Sequence, residues 1–217
     1  FVDVFDEEFG ATLSQADSGL VEFGHRTTGE DPLEPDPDNS TVLALALENC
    51  IDWSEAIRDQ AGVTHFVFRY SLCGHGGGFD PAAAVRFGWE DNNELETLVL
   101  PSGQRGDLPA DAHGFLEVTP SSVIVTSLKV AEEEGLIVRL WECAGLDTMA
   151  CLQVSGLGRL RAVRQTDLLE RDGDALAADE GLIEVPVPKR GLATVRLVLK
   201  GRASESLMEG SERWTLG

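Results

Sequence analysis

The sequence of 217 residues predicts a mostly-β chain: an antiparallel β-sandwich of the large type, with few short helices. Three observations carry that expectation. Twenty-three glycines and nine prolines punctuate the chain with turn formers, which break helices more than they break short strands. Apolar and polar residues alternate in stretches such as FVDVF, the period of a strand with one covered face. Over the second half, short apolar runs recur at the regular spacing of a sandwich. A hydrophobic content of 42% and a charged content of 25% place the chain among globular proteins. A chain of this length buries roughly 70% of its unfolded surface, so its core needs no staples.

In chain order, FVDVFDEEFGATL (1–13) reads as strand, turn and strand, meeting Gly10. Residues 24–40, with three prolines, form a polar loop that neither a helix nor a central strand accommodates. TVLALALENC (41–50) is expected as a buried strand. IDWSEAIRDQAG (51–62) is the best short helix, capped by Asp52 or Ser54 and ended by Gly62. VTHFVFRYSLCG (63–74) follows as a strand and GHGGGFDP (74–81) as a flexible loop. PAAAVRFGWEDN is ambiguous: its alanines favour a helix, while Phe87 and Trp89 at a spacing of two favour a strand. ETLVLPSG and GFLEVTP are further strand pieces.

SSVIVTSLKVAEEEGLIVRLWECAG (121–145) reads as two strands around an acidic turn, both faces partly apolar, with Gly135 suited to positive φ. MACLQVSG, RLRAVRQTDLLER, GLIEVPVPKR and GLATVRLVLKG continue the pattern. The domain expectation is one sandwich over 1–202, either continuous or in two lobes, 1–118 and 119–202, with a polar tail over 203–217 that Trp214 anchors at most.

Charge excludes partners more firmly than it names them. Thirty-eight acidic and seventeen basic residues leave a net charge of −21, which repels nucleic acid and anionic lipid. No apolar run reaches the 18 residues of a membrane span. No secretory leader is read, which favours the cytoplasm, and the opening on Phe1 suggests an excised fragment. Cys50, Cys73, Cys143 and Cys151 fit no zinc module and read as buried free thiols, with a Cys143–Cys151 disulfide as the alternative.

Few motifs carry chemistry. GHGGGF (74–79) has the glycines of an oxyanion-hole loop, but no G-x-S-x-G elbow supplies a nucleophile, so an esterase is not supported. His25, His65, His75 and His113 lack paired ligand spacing, and PDPDNS (35–40) lacks the glycine and glutamate of a calcium loop. Four residues stand out as a cleft-edge or sugar-contact set: His75 and Asp80 beside the glycines, and Trp53 and Trp89, whose polar neighbours suggest exposed rings. No catalytic, cofactor-binding or metal-binding residue is assigned. Trp141 reads as core, and Arg139 shares a face with Ile137 and Trp141, where burial demands an acid or carbonyl partner.

Taken together, these segments resemble the C-terminal β-sandwich region of family 38 glycoside hydrolases, the zinc-dependent α-mannosidases. The strongest piece is the hairpin, where Leu128, Lys129, Gly135, Ile137, Val138, Arg139, Leu140, Trp141, Glu142 and Gly145 follow the family's order. Ala162 with DLLER (167–171) looks like the next strand and loop, ATVRL (193–197) like the closing strand, and HFVFRYSLCGH (65–75) like an upstream segment. Gly74 stands where the family has proline before His75, and Glu94 where NNEL would carry another proline.

The resemblance implies a non-catalytic domain of an α-mannosidase-type enzyme, partnered by the catalytic and helical domains of the same parent chain. Zinc and the nucleophile then belong to that missing part, and no residue here inherits them. The fragment alone would be inactive on α-mannosides, lining at most the cleft edge around His75–Asp80. The alternative is a stand-alone carbohydrate-binding or protein-interaction β-sandwich module.

Overall fold

The computed structural model describes residues 1–17, 21–24, 41–44, 67–100, 103, 106, 109 and 111–200. The expected helix over 51–62 and the loop over 25–40 lie outside these residues, as do Trp53, His25, His65, Cys50 and the tail with Trp214. The chain divides into two compact units, Phe1–Thr97 and Leu98–Gly217.

The first unit begins with the expected hairpin. Strand β1 (Val2–Phe5) pairs antiparallel with β2 (Phe9–Gln15). The turn belongs to Asp6, whose Oδ1 accepts the N–H groups of Glu8 and Phe9 at 2.7 and 2.8 Å. These two bonds favour the ionised carboxyl and hold Asp6 below its usual range. Gly10 lies inside β2 rather than in the turn. Strands β3 (Val21–Phe23) and β4 (Val42–Ala44) pair with each other, and β4 is half-buried rather than buried.

Strand β5 (Tyr70–Gly76) adds to β2, giving the order β1-β2-β5. It runs further than the sequence suggests, because Gly74, His75 and Gly76 complete the ladder opposite Ala11, Gly10 and Phe9. The loop is therefore only Gly77–Asp80. The ambiguous segment is a helix, α1 (Pro81–Asn92). Asp80 caps it with Oδ1 bonds from Ala82 N and Ala83 N, and Pro81 enters its first turn, where an N–H is not needed. Residues 94–100 form no strand; Leu95, Leu98 and Val99 are exposed.

The second unit is the sandwich. Strands β6 (Leu116–Thr119), β7 (Val123–Val130), β8 (Leu136–Glu142), β9 (Thr148–Val154), β10 (Arg159–Thr166), β11 (Asp172–Leu176), β12 (Ala178–Asp179), β13 (Leu182–Val187) and β14 (Leu192–Lys200) form two antiparallel sheets. One has the order β11-β10-β14-β8-β7, the other β12-β13-β9-β6. Their inner faces obey the two-residue period. Leu136, Val138 and Leu140 of β8 and Val195 and Leu197 of β14 meet Ala150 and Leu152 of β9 and Ile183, Val185 and Val187 of β13 in one core. The outer face of β8 and its neighbours is also partly apolar, as the sequence suggests: Ile124 and Ile137 are buried outside that core.

Gly135 ends the β7–β8 turn at φ 101°, and a Cβ there would lie 2.3 Å from the Leu197 carbonyl oxygen. Only glycine meets both demands.

Candidate functional site

In the first unit, ladder register decides which side chains share a face. Asp3 pairs with Thr12, which pairs with Cys73; Gly10 pairs with His75; Ser14 pairs with Ser71. Asp3, Thr12, Ser14, Ser71, Cys73 and His75 thus lie on one polar face, and Val2, Val4, Ala11, Leu13 and Leu72 on the other. The helix covers the polar face. Asn92 Nδ2 donates to Ser14 Oγ at 3.2 Å, Ser71 Oγ donates to the Asp91 carboxylate, and Gly88 lies against Phe1. The bonds from Ser71 and Ser14 hold Asp91 below the usual carboxylate range against the opposing effect of burial.

His75 reaches across β2 to β1. Its Nε2 lies 3.0 Å from Asp3 Oδ2, and the Thr12 hydroxyl donates to the same oxygen. The Asp3 side chain is only 5% exposed, and its other oxygen has no partner among the described residues. The ring crosses directly over Gly10, where a Cβ would sit 2.2 Å from it. His75 is therefore a half-buried strand residue with a fixed partner, not a histidine displayed on a flexible loop.

Of the other residues singled out from the sequence, Asp80 is committed to the helix cap. Trp89, on α1, is 38% exposed. Trp53 lies outside the described residues. Among the described residues, no hydrogen bond joins His75, Asp80 and Trp89 into one constellation; each has its own local partners.

In the second unit, the charges inside the β7–β8 hairpin are structural. Lys129 Nζ pairs with Glu170, a residue at φ 62° whose side chain also accepts Glu132 N at 3.1 Å. Lys129 and that backbone bond lower the Glu170 carboxyl despite its burial. Arg139 has no acidic partner among the described residues; its Nε donates to Thr194 Oγ1 at 3.4 Å, directly across the β8–β14 register. The buried arginine is Arg196. Its guanidinium donates to Asp172 Oδ1 at 2.9 Å, the Glu134 carbonyl at 3.2 Å and the Glu170 carbonyl at 2.6 Å. The DLLER loop is thus tied to β14 and β7.

Glu142 is fully buried at the end of β8. Its carboxylate accepts four backbone N–H groups: Ala144 at 2.9 Å, Gly145 at 2.8 Å, Leu146 at 3.1 Å and Arg190 at 3.0 Å. Burial pushes its carboxyl up, but the four donors outweigh that and hold it below the usual range. One side chain organises both the β8–β9 and β13–β14 connections.

Residues 122–200 match the family model described as Glycosyl hydrolases family 38 C-terminal beta sandwich domain. The resemblance carried by Lys129, Gly135, Arg139 and Glu142 is therefore shown over strands β7 to β14. No curated protein matches the chain.

Within the matched segment, the motif residues serve the fold. Gly135 answers a close backbone approach, Glu142 gathers loop amides, and Lys129 holds Glu170. Among the described residues, no group of three or more His, Cys, Asp or Glu side chains is arranged to hold a metal ion. Cys73 and Cys151 are free thiols, and the buried Cys143 thiol donates to the Ser122 carbonyl at 3.0 Å. Cys73 is exposed, against expectation, on β5, which borders its three-stranded sheet. Sequence reading missed Asp3 and Asp91, half-buried residues of the first unit that each keep one carboxylate oxygen buried. Asp3 is the one acidic residue inside the FVDVF alternation, and that was its available signal.

Proposed function

We propose that the chain is the non-catalytic C-terminal sandwich part of an α-mannosidase-type glycoside hydrolase. The match over 122–200 supports this most directly. In this reading the hydrolytic machinery, with its zinc, comes from catalytic and helical domains of the same parent chain. The 217 residues supply a rigid wall, and the segment from His75 to Asp80 borders the cleft. The ion pairs and buried carboxylates described above support a scaffolding role, because their charged atoms are spent on backbone and neighbouring strands rather than aimed at a solvent-filled cleft.

The test is an assay of the 217-residue chain on an aryl α-mannoside with zinc supplied, beside the full parent protein. The expected result is no turnover by the chain and turnover by the parent. Zinc-dependent turnover by the chain alone overturns the scaffolding role, and an inactive parent overturns the mannosidase reading. The alternative of a carbohydrate-binding module rests on exposed Trp89. Glycan binding by the chain, abolished by Trp89→Ala, would favour it.

A further inference from the structure

The ladder of the first unit sets Phe5, Gly10 and His75 in one row across β1, β2 and β5. Paired residues share a face, and the glycine leaves the middle of the row open. A Cβ at Gly10 would meet the His75 ring at 2.2 Å and the Phe5 Cβ at 2.9 Å, so the imidazole and Phe5 are neighbours above it. Phe79 extends the row. Its ring is stacked with that of Phe5, the centroids 6.0 Å apart and the planes 19° from parallel. Both residues are exposed, Phe5 to 51% and Phe79 to 42%. The loop that carries Phe79 is pinned at both ends. Gly77 N–H donates to the Glu8 carbonyl at 3.2 Å, and Asp80 caps α1.

The hydrogen-bonding role of His75 is fixed from behind. Asp3 Oδ2 accepts the Thr12 hydroxyl and lies 3.0 Å from His75 Nε2. A carboxylate offers only acceptors, so Nε2 carries the hydrogen, and Nδ1 of the neutral ring is then an acceptor. Among the described residues nothing bonds to Nδ1, and it is not one of the buried atoms without a partner. It is therefore open to solvent, on a ring that adjoins the phenylalanine pair.

We propose that Phe5, Phe79 and His75 form a binding surface for a neutral sugar. The phenyl rings take the C–H face of a pyranose, whose weakly positive hydrogens suit the negative face of an aromatic ring. His75 Nδ1 accepts the hydrogen of one hydroxyl. Each part narrows the ligand. An acceptor nitrogen calls for an O–H donor, which a carboxylate or phosphate oxygen does not supply. Asp6, Glu7 and Glu8 follow Phe5, and neither 1–17 nor 70–85 contains a lysine or arginine, so an anion finds no counter-charge there. A purely apolar ligand would strip water from Nδ1 and return no bond. The pinned loop and the held imidazole keep the cost of ordering low. The identity of the sugar, an α-mannoside, rests on the reading that His75–Asp80 borders a mannosidase cleft. The inference adds the side chains that touch it, Phe5 and Phe79 rather than Trp89.

The test titrates methyl α-mannoside into the isotope-labelled 217-residue chain and follows nuclear magnetic resonance shifts. Saturable shifts are expected for the Phe5 and Phe79 rings and for His75 Nδ1, with Nε2 still carrying its hydrogen. Phe79→Ala should weaken binding about tenfold by removing one apolar face. Phe79→Leu, which keeps the bulk but not the flat ring, should weaken it as well, and Phe79→Tyr should bind as the native chain does. A phosphate ester of the same mannoside should bind more weakly than the neutral sugar. Absence of saturable shifts overturns the proposal. Native affinity in both Phe79→Ala and Phe79→Leu overturns it too, as does equal or tighter binding of the phosphate ester. Turnover by the parent without binding by the chain strikes this inference alone, whereas binding by the chain beside an inactive parent strikes the mannosidase reading alone.

Discussion

Glu142 shows how one buried charge acts through backbone alone. Its four N–H donors come from two connections far apart in sequence. Removing the charge leaves donors buried with a weaker acceptor, which for bonds to a charged group costs about 2 kcal/mol. Glu142→Gln should therefore lower the melting temperature by roughly 4–8 °C in a chain of this size, read by circular dichroism at neutral pH. The sign of the pH effect follows from the lowered carboxyl. A depressed folded-state pKa stabilises above the unfolded value, here 4.5, and that contribution disappears as pH falls through the folded value. The stability gap between the native chain and Glu142→Gln should be constant above about pH 5 and shrink below pH 4.5. A gap independent of pH would mean that the carboxylate charge is not what the amides hold. Glu142 was visible in the sequence as a charge in an apolar run, but its partners were not, because loop amides leave no trace in residue type.

At the scale of elements, α1 illustrates what periodicity leaves open. Three alanines argued for a helix and the Phe87–Trp89 spacing for a strand; the deciding signal was Asp80-Pro81, a cap followed by a residue suited to the first turn. Asp80→Ala should cost about 1 kcal/mol by freeing the Ala82 and Ala83 N–H groups, measured as a shift in the denaturation midpoint. Asp80→Asn, which keeps the acceptor, should recover most of it. If Asp80 instead served chiefly as a cleft residue, both substitutions would leave stability unchanged. The sandwich strands were legible throughout β7–β14, because a buried core enforces the two-residue period there. The first unit was harder to read. Alternation located β1 and β2 but not which face would be covered, and the helix covers the polar one, leaving Leu72 and Phe9 exposed. His75 was singled out correctly as unusual but was placed in a loop, because three following glycines mask a ladder whose register depends on a partner strand some 65 positions away.

For the molecule as a whole, the two units differ in how they are held together. Every residue of the principal core, together with the apolar side chains packed against it, falls between Leu116 and Leu199, inside the second unit and almost coincident with the family match. Among the described residues of the first unit, the three-stranded sheet turns a largely polar face to the helix, joined to it by hydrogen bonds that water can replace at modest cost. A sandwich with its own closed core should not depend on a neighbour for folding. Residues 98–217 expressed alone should therefore unfold in a single cooperative thermal transition and retain a strand-type far-ultraviolet spectrum. Glu142→Gln should shift that transition by about the same amount as in the full chain, since its partners are all retained. A fragment that binds hydrophobic dye and melts without a cooperative step would show that the core needs the first 97 residues, and that the boundary at Leu98 divides contacts without dividing stability.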